Sequence, residues 1–303
     1  MVKSKRTIAG DIIVILICVS VILLCVMPML NLLSQSLSSS TSIINSKVKF
    51  LPVIFNEDNN SYSYGASFLS YQYIFLDKAF VRSMWWTAIL TVICTLVSLT
   101  MTILCAYPLT YDWLKGKTVI NTIIIFTMYF SAGTIPNYIL MKTLGLLNNP
   151  LVLIIPNCLS VFNMIILRSF FFGIPDSLRE SAEIDGANPF TVLVRIYLPL
   201  SGPVLATLAL FYAVGRWNGF ADALLYLSTV PQWVPIQLKL YQLIRNMTSI
   251  DVSTVEMVAG SIPRVSEAIK AAAIMFATVP ILVVYPWLQR YFIKGVTIGA
   301  VKG

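Results

Sequence analysis

The chain has 303 residues, of which 57% are hydrophobic and only 11% charged, with a mean hydropathy of +0.81. An ordinary soluble domain carries about 25% charged residues, so this sequence lacks the polar groups to cover a water-exposed globule and reads as a polytopic membrane protein. The formal charge of +8 then belongs to membrane topology and not to nucleic-acid binding, and the absence of histidine removes the usual general base and commonest metal ligand.

The first apolar run, residues 11–30, follows a basic KSKR head. It is longer than the roughly 7–15 residues of a signal-peptide core, and NLLSQSLSSS after it offers no A-x-A site. It therefore reads as a retained span. Further runs, near the ~20 residues a bilayer requires, cover residues 84–109, 119–140, 151–167, 199–227 and 271–288, making six in all. Pro136, Pro156, Pro280 and Pro286 lie inside these runs and predict kinked helices. Cys18, Cys25, Cys94, Cys105 and Cys158 all sit in apolar runs without CxxC spacing, as packing residues do. The short basic segments KSKR and YDWLKGK place both termini on the cytoplasmic side. The long segments 31–83 and 229–270 then lie outside. The first is rich in Ser, Asn and Tyr, which suits an ordered extracellular loop or a passive linker. The expected division is an N-terminal helix with its outer loop (1–80), a five-helix core (81–294) and a short cytoplasmic tail (295–303).

Between spans four and five the apolar pattern stops. PDSLRESAEIDGANPFTVLVRIYLPL, residues 175–200, brings Asp176, Glu180, Glu183 and Asp185 into one short stretch. Ser177 and Glu180 have capping-box spacing and predict a helix start. Gly186 predicts its end, since glycine accepts the left-handed conformation of a C-terminal cap. Asn188-Pro189 predicts a second helix, with Asn as N-cap and Pro in the first helical position. The element is helix, bend, helix. Ser181 and Ala182 form a small patch that another surface can approach closely, and Glu180, Glu183 and Asp185 suit basic residues on a soluble partner. Ile184, Phe190 and Leu193 are too apolar to be left in water. The competing reading is an amphipathic helix resting on lipid, against which the acids count because the cytoplasmic leaflet is itself negative.

Glu180-Ser181-Ala182, three residues, Gly186, nine residues, then Ile196-x-Leu198-Pro199 resembles the EAA loop of ATP-binding-cassette importer permeases, with Ser181 standing where the name-giving Ala would be. RWNGFADALLYL (216–227) and VPIQLKLYQLI (234–244) are similar to the fifth span and outer loop of maltose-type (MalG-like) sugar permeases. The tail from residue 281 resembles the subgroup for complex polysaccharide or oligosaccharide uptake in Gram-positive bacteria. The resemblance implies an all-α integral membrane fold with a type I importer core and no enzymatic activity. It implies one half of a transport path for an oligosaccharide, completed by a second homologous permease. Two cytoplasmic ATPase subunits, which bind the ATP and Mg, and an extracellular sugar-binding protein are the further implied partners; this chain would bind no cofactor. Residues 175–200 would then be a coupling helix seated in an ATPase groove. Glu180, Ser181, Ala182, Glu183, Asp185, Gly186, Ile196, Leu198 and Pro199 would carry the motion mechanically. The tail residues Gly299, Val301, Lys302 and Gly303 would touch the ATPases too.

For the path itself, Asn163, Tyr212, Trp217 and Asn218 offer amides and aromatic faces to a sugar, although membrane-interface anchoring and packing use the same residues. Arg216 is a charge within an apolar span and hence a functional candidate. Asp222, six residues on, would fall on a different face of a continuous helix. YDWLKGKT ends like a P-loop, but Tyr111 replaces the first glycine and the segment joins two spans, so it does not bind ATP. An ion-gradient carrier is the alternative function; it would call for an intramembrane carboxylate relay, and Asp222 alone does not make one. A membrane enzyme would need acids or a nucleophile in a pocket, whereas the acids here cluster in one surface element.

Overall fold

A computed structural model describes residues 5–56, 59–227, 230–248 and 266–300. It is helical apart from one hairpin, and it divides into two compact units, residues 1–81 with 240–279 and residues 82–239 with 280–303.

In the first unit, α1 (Lys5–Ser36) runs for 32 residues, about 48 Å at 1.5 Å per residue. Its side chains from Ile12 to Leu24 are exposed, as a lipid-facing helix requires. The segment after it is ordered: α2 (Ser40–Ile44), an antiparallel hairpin of β1 (Val53–Asn56) and β2 (Ser61–Tyr64) with Val53 opposite Tyr64, and α3 (Leu69–Leu76). Its serines act as fasteners. Ser38 Oγ accepts from Val53 N–H at 3.0 Å, Ser39 Oγ accepts from Phe55 N–H at 3.0 Å, and the Ser36 and Tyr71 hydroxyls meet at 2.9 Å. Phe276 packs on Phe75 and Phe80, with ring centroids 5.2 and 5.7 Å apart.

The second unit takes in most of α4 (Lys78–Ala106), then α5 (Lys117–Tyr129), α6 (Thr134–Thr143), α7 (Val161–Phe171), α8 (Asp176–Ile184), α9 (Pro189–Leu200), α10 (Gly202–Asn218) and α11 (Ala221–Tyr226). Like α4, two further helices run across the division between the units, α12 (Ile236–Thr248) and α13 (Ser266–Ala300). Buried Ala268, Ala271 and Ala272 share one small-residue face of α13, the kind that lets membrane helices pack closely.

Among the described residues, three helices are long and apolar enough to cross a membrane unbroken, and three bent pairs bring the total up to six. The third run is thus not one kinked helix. α5 and α6 meet at 116° across a break at residues 130–133. Gly133, at φ +90°, makes the turn, and Pro136 falls in the first turn of α6, where its missing N–H costs nothing. The fourth run is also broken. Pro150–Leu153 is a 3-10 turn, Pro156 lies in the irregular stretch that follows, and only Val161–Phe171 is α-helical, capped by Ser160 Oγ. In the fifth, α9 and α10 meet at 83°, and α10 gives way to α11 at Gly219-Phe220. Pro280 and Pro286, by contrast, sit inside an uninterrupted α13.

Candidate functional site

The charged element is two short helices set on an aromatic platform. α8 opens at Asp176 with Pro175 as N-cap and no side-chain cap hydrogen bond, so the expected Ser177–Glu180 capping box does not form. Ser177 already lies inside the helix. The first turn is stabilised instead by the carboxylate of Asp176 near the positive helix end and by Arg179. That guanidinium lies 3.0 Å from Asp176 and 3.8 Å from Glu183, and 5.1 Å above the Tyr111 ring. Burial works against its charge, but Asp176, Tyr197 and Glu183 outweigh burial and raise its pKa.

α8 ends as expected at Gly186, which has φ +80°. Ala187 N–H donates to Ala182 C=O at 2.9 Å, and Gly186 N–H donates to Glu183 C=O at 3.1 Å. This is the paired pattern of a Schellman cap. Ala182 and Ala187, which bracket it, both pack on the core below. A Cβ on Gly186 would meet nothing within 4 Å, so the demand for glycine comes from the backbone angle and not from space inside this chain. α9 begins as the sequence predicts: Asn188 Oδ1 accepts from Thr191 N–H at 2.8 Å, with Pro189 in the first helical position. Its middle, Leu193–Tyr197, is a π-turn in which Leu198 N–H reaches Leu193 C=O. Pro199 explains the widening, because its ring would strike the carbonyl four residues back in a regular α-helix.

Under the loop, Tyr107, Tyr111, Phe171 and Tyr197 pack edge to face, with Tyr107 centroids 5.3 Å from Tyr111, 6.2 Å from Phe171 and 5.1 Å from Tyr197. The Tyr107 hydroxyl donates to Pro189 C=O at 2.9 Å and meets the Tyr111 hydroxyl at 2.6 Å. The sequence reading missed this platform, whose one trace is the YPLTY repeat of tyrosines at the end of α4. Of the predicted residues, Glu180, Ser181, Glu183, Asp185, Gly186 and Pro199 are exposed, whereas Ala182, Ile196 and Leu198 are half-buried against the core. Leu193 is buried, while Ile184 and Phe190 stand 85% and 68% exposed among the described residues. Gly299 falls near the end of α13; Val301, Lys302 and Gly303 lie outside the described residues.

A second feature is an open cleft of about 880 Å³ lined by Asn163, Tyr212, Arg216 and Asn218. Trp217, grouped with them from sequence, is buried and does not line it. The Tyr212 hydroxyl is engaged, 2.7 Å from Thr102 Oγ1 and 3.1 Å from Ser160 N–H. The expectation that Asp222, on a different face of a continuous helix, is not an obvious partner for Arg216 is overturned. The helix breaks at Gly219-Phe220, so Asp222 turns back and takes the guanidinium in two contacts, Nη1–Oδ2 at 2.5 Å and Nη2–Oδ1 at 3.1 Å. Arg216 also donates to the Leu153 and Gly219 carbonyls, at 3.3 and 3.2 Å. It is a buried, paired structural clamp facing the cleft.

Residues 74–298 match the family described as the binding-protein-dependent transport system inner membrane component. The polygalacturonan/rhamnogalacturonan transport system permease protein YtcP of Bacillus subtilis (strain 168) is 39% identical over 281 residues, 93% of this chain and 94% of that protein. The trehalose/maltose transport system permease protein MalG of Thermococcus litoralis is 29% identical over 214 residues, 69% of this chain and 71% of that one. Among solved structures, a chain of a bacterial ABC transporter involved in the import of the acidic polysaccharide alginate aligns with TM-score 0.84 and 30% identity, covering 96% of this chain and 99% of that chain.

Proposed function

From the premise that this chain belongs to the binding-protein-dependent transport system inner membrane component family, we propose that residues 175–200 are its coupling element and that its cargo is an oligosaccharide drawn from an acidic polysaccharide. The chain is an importer's membrane permease and not an enzyme. The ion-gradient alternative finds no support beside that membership, and the buried Arg216–Asp222 pair it would have drawn on is a structural clamp.

The observation that carries the coupling role is the exposure of Ile184 and Phe190 on an element that is otherwise rigid. The Schellman cap, the Asn188 cap and the tyrosine platform fix the backbone, while two large apolar side chains and the carboxylates of Glu180 and Asp185 point away from the core. Among the described residues, neither of those acids has a salt bridge in the chain. An ATPase surface with an apolar groove and basic rim would complete it. Two such subunits, holding ATP and Mg, and a second permease of this family are the partners, with a sugar-binding protein on the outer face. In this orientation both termini would be cytoplasmic. ATP-driven closure of the ATPases would move α8 and α9 as one body and, through Tyr107 and Tyr197, the ends of α4 and α10. The cleft with Asn163, Tyr212 and Asn218 would be this chain's wall of the path. The oligosaccharide reading is supported by the names of similar permeases and by the alginate importer's fold.

The test is co-purification in mild detergent of this chain expressed with its candidate partners. An ATPase should come down with the wild type and be lost or uncoupled with Gly186→Asp. Retention of ATPase and of normal uptake by that variant would remove the coupling assignment. Uptake of labelled uronate-containing oligosaccharides, competed by neutral ones, tests the cargo separately.

A further inference from the structure

Away from the coupling element and the cleft, one group of side chains has no role in the transport reading. Arg168, in the last turn of α7, and Lys117, the first residue of α5, converge on one aromatic ring. The Arg168 guanidinium carbon lies 5.1 Å, and Lys117 Nζ 5.4 Å, from the centroid of Phe172. Two cations on one ring repel each other unless negative charge is near. Lys117 has it, in Asp112 at 2.9 Å. Arg168 does not. Its Nη1 donates to the amide oxygen of Asn121, a neutral acceptor, and among the described residues it has no carboxylate partner. Its Nε is buried without any hydrogen-bond partner. A buried donor left unpaired requires an explanation, such as an ion the site normally holds.

The surroundings say which kind of anion. α5 turns Val119, Ile120, Ile123 and Phe126 outward, 62%, 42%, 59% and 61% exposed, in a chain whose family is membrane-embedded. Such a face lies against acyl chains. Phe172 is itself 52% exposed beside the two cations. Apolar side chains running up to a basic pair between helix ends form the pattern that holds anionic lipid head groups.

We infer that Arg168, with Lys117 and the Phe172 ring between them, binds the phosphate of an anionic phospholipid, whose acyl chains lie along the outer face of α5. The phosphate oxygens accept from the free guanidinium N–H groups, and the Phe172 edge meets the glycerol and upper acyl carbons. The inference rests on the proposed orientation only for the leaflet, which is the cytoplasmic one.

The experiment places the full chain in phosphatidylcholine bilayer discs, with and without phosphatidylglycerol, and reads thermal unfolding and the retention of a photo-crosslinkable phosphatidylglycerol. Phosphatidylglycerol should raise the unfolding temperature of the wild type. Arg168→Gln should weaken its retention about tenfold, as loss of a charge-assisted hydrogen bond does. Lys117→Gln, a second variant should the first fail to fold, should weaken it by less. Arg195→Gln, which alters an exposed cation outside this pair, should leave retention unchanged. Equal stabilisation by both lipids would overturn the inference, as would full replacement of the effect by inorganic phosphate, which would make the ligand a free anion. An equal loss in Arg195→Gln would reduce the site to diffuse surface charge and overturn it likewise. Disappearance of the preference in the assembled transporter would mean that a partner's acid covers Arg168, and would also end the lipid assignment. The outcomes read on the chain alone in bilayer discs do not depend on ATPase co-purification, so this inference and the coupling assignment fail separately.

Discussion

The Ala187 amide donates to the Ala182 carbonyl at 2.9 Å across a glycine whose φ is +80°. Those two alanines pack on the core beneath, so the cap fixes the exit direction of the chain from α8 and hence the angle between α8 and α9. An L side chain in the left-handed region costs on the order of 1–2 kcal/mol. Since a Cβ at Gly186 meets open space within this chain, Gly186→Ala should lower stability by about that amount and no more. A much larger loss of thermal stability in the isolated chain would show that the space is not open. If the neighbouring surface is an ATPase groove, Gly186→Asp should do further damage seen only in the assembled transporter. Comparing the two variants, alone and in complex, separates strain from collision.

Tyr107→Phe isolates the link between the platform and α9. The variant keeps the ring contacts with Phe171 and Tyr197 but removes the hydroxyl that donates to Pro189 C=O and meets the Tyr111 hydroxyl. A hydrogen bond of this kind contributes about 1 kcal/mol net. The fold should survive with a modest loss of unfolding temperature, while ATP hydrolysis by the assembled transporter becomes less dependent on substrate. Unaltered coupling in a destabilised variant would mean that the hydroxyl serves stability alone.

The helix–bend–helix of residues 175–200 was legible because its signals are local. A glycine, an Asn-Pro pair and a cluster of acids act within a few residues of themselves, and the predicted bend at Gly186 and helix start at Asn188-Pro189 fall where expected. The start of α8 did not, because Asp176 and Arg179 stabilise the first turn by charge, without the capping box that the spacing of Ser177 and Glu180 suggests. The broken spans were not legible at all. An apolar run has the same pattern whether it forms one long helix or two short ones, and the choice at Gly133 lies in a backbone angle. The error over Asp222 has the same origin. Six residues separate opposite faces only on a continuous helix, and Gly219 ends that continuity. Tyr107 and Pro189, 82 positions apart, meet through tertiary packing that no local pattern encodes.

Asp112 is fully open to water, yet its hydrogen bond and ion pair with Lys117 hold its carboxyl below the usual carboxylate value. A depressed folded-state pKa stabilises the fold above the unfolded value of about 3.9, and that contribution disappears as pH falls through the folded value. Across the neutral range it is therefore constant. Asp112→Asn should leave the pH dependence of unfolding unchanged between about pH 6 and 8 and flatten it only in acid, near and below pH 4. Thermal scans of both chains over that range check the sign. A difference that grew toward neutral pH would assign the titration to another group.

The Arg216–Asp222 clamp yields the sharpest contrast. Arg216 is 8% exposed and wraps Gly219 so closely that a Cβ there would lie 2.7 Å from its Nη2. Removing the acid alone strands a buried charge, which costs on the order of 3–5 kcal/mol. Replacing both charges with apolar residues of similar size is often nearly neutral, because the desolvation penalty goes with the pair. Asp222→Ala should therefore give little folded protein, and Arg216→Met with Asp222→Leu should recover much of the yield and thermal stability. The double variant then becomes the probe of the cleft. If the pair only holds the break at Gly219, uptake should return along with folding. Should folding return without uptake, Arg216 has a second task facing the cleft, and a carboxylate on the cargo is the group it would meet there. A stable, fully active Asp222→Ala would refute the clamp itself.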